Sequence, residues 1–284
     1  SFTVPFTRVA VDGDRMSPLF IGSGRAVVAA LLAATALAVT RQRLPRGVQW
    51  GRLAVVAGGV VVGFPVLTSF ALTTAAASHG AVVIALLPAA TAVTAVLRGH
   101  ERPPTSFWIM ATAGMVAAVG FGAVQSGGLG GLHWSDLLLF GAVVAAAIGY
   151  AEGGLLAREL GAWQTVSWAL VLSAPLMLAL AGTSVTRHTP SGTAIEWAAF
   201  GYLAVVSMFL GFIAWYRGLA IGPIAQVSQV QLVQPVMSIC WAALFLHEQL
   251  DGATIVGGVA VIASAAVAVR ARLGQVSRPA GPTT

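Results

Sequence analysis

Lysine is absent from this 284-residue chain, and cysteine occurs once, at Cys240. A lone cysteine excludes an intramolecular disulfide and a thiolate metal site. Charge is scarce as well: 8% of residues are charged, where a soluble domain carries about 25% to keep its surface wet. That shortage excludes a soluble globular protein. It also excludes disorder, collagen and coiled coil, which need high charge, a strict glycine period or charged heptad flanks. What fills the chain instead is apolar, 57% of it, with a mean hydropathy of +0.87.

The net charge of +6 comes from 15 arginines against 9 acidic residues. These arginines are too sparse for a nucleic-acid patch and lie between long apolar runs, so the expected surroundings are a lipid bilayer and no nucleic acid. Charge-free windows of about 20 residues, enough to cross a ~30 Å hydrocarbon core, recur along the chain. Together with an apolar span at 18–40, interrupted only by Arg25, and another at 136–157, they predict helices at 51–73, 78–98, 107–125, 164–182, 195–217, 222–246 and 252–270. The apolar opening SFTVPFTRVAV reads as the second half of a first helix, which makes ten. No basic region precedes it and no small-residue cleavage site follows, which disfavours a secretory signal peptide. Sorted by loop, eleven arginines fall on one side and Arg8, Arg15, Arg25 and Arg187 on the other, placing both termini in the cytoplasm of a bacterial inner-membrane protein.

Displacing the chain by 147 residues lays Pro88 on Pro235, His100 on His247 and Glu101 on Glu248, with Leu72, Val83, Ala95 and Leu97 also meeting identical residues. An odd number of spans per half forces the second half to enter the membrane from the opposite side. The expected fold is therefore an all-α integral membrane protein of ten helices in two inverted five-helix repeats. The repeats occupy 1–125 and 136–270, joined by a loop at 126–135 and followed by a cytoplasmic tail at 271–284.

The residues resemble a family. PLFIGSGRAVVAALLAATALAV is similar to the second helix of EamA-type members of the drug/metabolite transporter superfamily, with Arg25 in the place of that family's helix-two arginine. ALLPAATAVTAVLRGHERP and QLVQPVMSICWAALFLHEQL resemble its helix-four and helix-nine pattern, a proline followed by an apolar run and a glutamate at the membrane edge. Within that superfamily the chain looks closest to bacterial amino-acid exporters, including those for aromatic amino acids. The resemblance implies efflux of small metabolites through a central cavity lined by helices one, three, four, six, eight and nine.

Ionisable groups in a membrane cost at least ~2.5–3.5 kcal/mol on insertion scales, so the few present are candidates for function. Arg25 is either part of a gate or a snorkelling, carbonyl-paired residue. Glu152 either accepts a proton or a substrate ammonium, or faces water at a helix edge. Glu101 and Glu248 read as helix-end anchors. The segment AQVSQVQLVQPVMS is rich in amides, and on a helix Gln231, Gln234 and Ser238 fall within about 60° of arc. Such a stripe must face protein or a wet cavity. Its counterparts at the 147-residue offset are Ile84, Leu87 and Thr91, so one wall is polar and its twin apolar, a cavity suited to an amphipathic solute. Phe64, Met208 and Phe209 extend the apolar side, with plain packing as the alternative. Tyr150 adds a hydroxyl, and His79 is either an outer gate or a satisfied interfacial histidine. Trp50, Trp108, Trp134, Trp163, Trp197 and Trp215 read as an interfacial belt.

Pro88 and Pro235 are expected hinges within their spans. Gly59 with Gly63, and Gly149 with Gly153, offer close-packing faces. With no lysine, and no arginine expected at the midplane, phosphorylated substrates are disfavoured, and the lack of a mid-depth carboxylate disfavours a multivalent-cation pump. An intramembrane enzyme is disfavoured too: there is no GxSxG elbow, and neither His-Glu pair continues to HExxH. The expected function is a secondary transporter that exports small amphipathic metabolites, chiefly aromatic or hydrophobic amino acids, with no cofactor and no metal. An exporter of drugs or organic cations is the runner-up, and a membrane scaffold the distant alternative.

Overall fold

A computed structural model describes residues 2–11, 15–99 and 133–246, with isolated positions at 105, 108–109, 112–113, 116, 252, 256, 259 and 263. The predicted spans at 107–125 and 252–270, and with them Glu101, Glu248 and the tail, lie outside the continuously described residues. The described chain is helical: α1 (Thr3–Val11), α2 (Pro18–Val39), α3 (Val48–Ala71), α4 (Ala77–Ile84), α5 (Leu87–Gly99), α6 (Trp134–Leu160), α7 (Ala162–Arg187), α8 (Ala194–Ile221), the short α9 (Ile224–Val227) and α10 (Val233–Leu246). Five of these, α2, α3, α6, α7 and α8, are long and apolar enough to cross a membrane.

Local signals set the helix ends. Ser17 caps α2 by accepting from the Phe20 amide at 3.1 Å, and Pro18 follows at the position where its missing N–H costs nothing. Asp136 in the first turn of α6 accepts from the His133 amide at 3.0 Å, and Thr193 and Glu196 cap α8 reciprocally.

The centre of the bundle is α6, which packs against α3, α5, α8 and α7, while α2 lies along α7. The contact of α3 with α6 has no room for side chains. A methyl group at Gly59 would stand 2.2 Å from the Ala145 carbonyl oxygen, and one at Gly149 would stand 2.5 Å from Val60. One turn on, Gly153 makes room for the ring of Tyr216, whose hydroxyl donates to the Gly149 carbonyl at 3.0 Å. The four-spaced glycines therefore let backbones meet, as small residues do where lipid cannot drive association.

Two predicted spans are not continuous α-helices. The 78–98 span breaks at residues 85–86 between α4 and α5, and the 222–246 span narrows to a 3₁₀ segment, Ser228–Leu232, between α9 and α10. Pro88 and Pro235, expected as mid-helix kinks, sit instead in the first turns of α5 and α10. A proline there withdraws no intrahelical hydrogen bond, so each starts a new helix after the break rather than bending one. The two broken helices run antiparallel: α4 packs on α10, and α5 packs on α9 and the 3₁₀ segment. The Ser228 hydroxyl lies 3.4 Å from the Pro88 carbonyl at their crossing. Two further irregularities are π-helical turns, Ala57–Gly63 within α3 and Leu203–Leu210 within α8.

Candidate functional site: a central cavity with one amide wall

A cavity of about 200 Å³ opens where the π turns and helix breaks converge. Six residues expected at the site border it: Phe64, Leu87, Tyr150, Met208, Gln231 and Gln234. Gln231 comes from the 3₁₀ segment and Gln234 from the first turn of α10, three residues further on, so both lie on one face of the chain where the two helical forms join. The Gln231 amide lies against Tyr150, and its Oε1 is buried without a hydrogen-bond partner. Phe64, Leu87 and Met208 contribute apolar surface to the same lining. Tyr150 is set among tilted rings, with centroids 5.6 Å from Trp215 and 6.0 Å from Phe212.

Other expected residues lie elsewhere. Ser238 is buried but does not border the cavity, and Phe209 packs against the core. His79 binds Asp136, Nε2 to Oδ1 at 2.7 Å, beside a separate cavity of about 470 Å³ that also touches His133 and Trp134. Glu152 faces neither substrate nor water. It is 3% exposed, accepts from Arg52, and accepts from Arg98 Nε at 2.7 Å, while Arg52 also reaches Glu159. Those four charges tie α3, α5 and α6 together at the end of the bundle away from His79.

Several wall residues were not expected. Trp215, read from the sequence as interfacial belt, borders the cavity with Phe212, and its Nε1 is buried without a partner. The signal was the spacing Met208, Phe212, Trp215, an i, i+4, i+7 face. Ser207 also borders it, its hydroxyl 2.8 Å from that of Thr3. Arg25, read from the sequence as part of a gate or as a snorkelling, carbonyl-paired residue, borders this cavity at 2% exposure. It lies seven residues into α2, about 10 Å along the helix at ~1.5 Å per residue, too deep for its head to snorkel out.

A bundle of apolar helices around a small, partly polar void, with charge clusters at either end, is the anatomy of a membrane transporter. The chain belongs to the EamA-like transporter family, whose pattern matches residues 1–122 and 133–270. It is 44% identical over 278 residues to the "Uncharacterized transporter YdeK" of Bacillus subtilis (strain 168), covering 95% of this chain and 93% of that protein. A solved crystal structure matches it with a TM-score of 0.68 at 17% identity, over 97% of this chain and 96% of its own, a likeness of fold alone. Family and relative both point to a multi-pass membrane transporter rather than an enzyme.

Proposed function

We propose that this transporter exports small amphipathic metabolites, chiefly aromatic or hydrophobic amino acids, by alternating access through the 200 Å³ cavity. The observation that carries the reading is the mixed lining: Gln231, Gln234 and Tyr150 offer hydrogen bonds, and Phe64, Leu87 and Met208 offer hydrocarbon. The volume lies below the ~300–1,000 Å³ of pockets for drug-sized ligands, which favours a small metabolite over a drug.

Two inverted five-helix repeats, at 1–125 and 136–270, account for the placement of the irregularities. Displaced by 147 residues, the π turn Ala57–Gly63 falls on 204–210, within Leu203–Leu210. The break at 85–86 falls on 232–233, where the 3₁₀ segment gives way to α10. Paired defects of this kind supply hinges at matched positions, so that Pro88 and Pro235 start the segments that rock between inward-open and outward-open states. Arginine sorting supports ten spans in the bacterial inner membrane with both termini cytoplasmic. In that orientation the Arg52–Glu152–Arg98 cluster closes the cytoplasmic end and His79–Asp136 the outer one.

Counterflow into proteoliposomes with a panel of radiolabelled amino acids tests the reading. Wild type should exchange phenylalanine or leucine above empty liposomes, while Gln234→Ala and Tyr150→Phe should lower the rate severalfold. Absence of exchange for every amino acid would refute it.

A further inference from the structure

Arg25 holds hydrogen-bonding capacity that nothing around it uses. Its Nε and Nη2 are buried without partners, and Nη1 has one long contact, 3.5 Å to the Thr7 hydroxyl. A guanidinium at 2% exposure with such a set of contacts has no counter-ion among the described residues. The four acidic residues among the described ones are committed elsewhere: Glu152 and Glu159 to arginines, Asp136 to His79 and the His133 amide, and Glu196 to the Thr193 amide. A second donor at the same wall, Trp215 Nε1, is likewise buried and unpartnered.

We propose that Arg25 is the seat of the substrate's carboxylate, so that the cavity selects small monocarboxylates with an apolar tail and does not require an amine. The inference rests on the cavity being the substrate path. A guanidinium presents a planar fork that matches a carboxylate with two parallel hydrogen bonds, and its single charge balances a single negative charge. A phosphate dianion would be left half-neutralised, since among the described residues Arg25 is the one charged side chain bordering the cavity. An organic cation meets the opposite difficulty, because among the described residues no carboxylate borders the cavity, and Arg25 repels it. An α-amine would find the Gln231 Oε1 acceptor and aromatic faces, enough to be tolerated but too little to be selected for. Zwitterionic amino acids would therefore be admitted for their acid end.

The test is binding to the purified full chain in lipid nanodiscs, followed by calorimetry and by tryptophan fluorescence, with three solutes that share a phenyl tail. These are 3-phenylpropionate (acid only), phenylalanine (acid and amine) and phenethylamine (amine only). The wild type should bind the two acids within about threefold of each other, and phenethylamine at least about tenfold more weakly. Arg25→Gln should weaken both acids at least about tenfold while phenethylamine, no longer repelled, binds at least as tightly as before, and Arg25→Lys, which keeps a point charge without the fork, should fall between for the acids. Phenethylamine binding as tightly as phenylpropionate, or acid affinity unchanged in Arg25→Gln, would overturn the inference and leave the transport reading standing. If none of the three solutes binds or crosses in proteoliposomes, the reading of the cavity falls together with it. Should Arg25→Gln fail to fold, the wild-type ranking and Arg25→Lys decide the matter.

Discussion

Glu152 and Arg25 are each an ionisable side chain within an apolar helix, 3% and 2% exposed, yet their surroundings are opposites. Glu152 is engaged by two guanidinium groups from other helices; Arg25 has one hydroxyl at 3.5 Å. The first charge is answered within the protein and serves to hold α3, α5 and α6 in place. The second stays unanswered, at the wall of a cavity. Depth in the membrane does not separate the two roles, and hydrogen-bonding capacity left unused does.

The largest effect should come from removing the partner that Glu152 most depends on. Arg52→Met leaves a buried carboxylate with Arg98 alone and should lower unfolding stability in detergent by about 3 kcal/mol, the low end of the ~3–5 kcal/mol for breaking buried pairs. Arg25→Met should behave in the contrary way. It removes an uncompensated buried cation and substitutes hydrocarbon of similar length, so stability should hold or rise while acid binding is lost. Thermal unfolding of the two variants side by side checks the contrast. Equal losses would mean that Arg25 is as well satisfied as Glu152, and the distinction drawn between them would fail.

The long apolar windows made the five long membrane helices legible, because crossing hydrocarbon leaves a compositional trace along the whole span. The amides of 231 and 234 were legible for the same reason: polar groups in such a window need a purpose. The breaks at 85–86 and 228–232 and the π turns were not, since hydrophobicity counts side chains whereas helix pitch is a property of backbone hydrogen bonds. Partnership across the sequence was equally hidden. Arg52 and Glu152 lie 100 residues apart, so nothing local distinguishes a carboxylate that meets arginine from one that meets water. Trp215 escaped because tryptophan near a span's end usually marks the interface, and its membership of the Met208 face carried the contrary information.

At the opposite end of the bundle, His79 and Asp136 form a pair whose side chains are 15% and 7% exposed, wetter than either case above. Asp136 keeps the His133 amide when the histidine is removed. His79→Ala should therefore cost only about 1 kcal/mol of stability, the usual worth of one hydrogen bond. Its larger consequence should be on access: if the pair closes the outer end, a thiol-reactive probe at an introduced Ser207→Cys should label faster in the variant than with His79 present.

The smallest effect should belong to Arg98, although it contacts the same carboxylate as Arg52. Its side chain is 59% exposed against 18% for Arg52, so water already solvates the guanidinium and competes for the bond. Arg98→Gln should cost no more than about 0.5–1 kcal/mol, the range for exposed ion pairs, and ionic strength should erase most of it. The deficit of Arg52→Met should survive the same salt, because the carboxylate it strands is buried. Unfolding each variant at ~0.05 M and ~1 M salt, between which the Debye length falls to about 3 Å, separates the two arginines by the screening each feels. If both deficits shrink alike, Glu152 is wetter than its burial indicates, and the contrast with Arg25 narrows to a difference in partners alone.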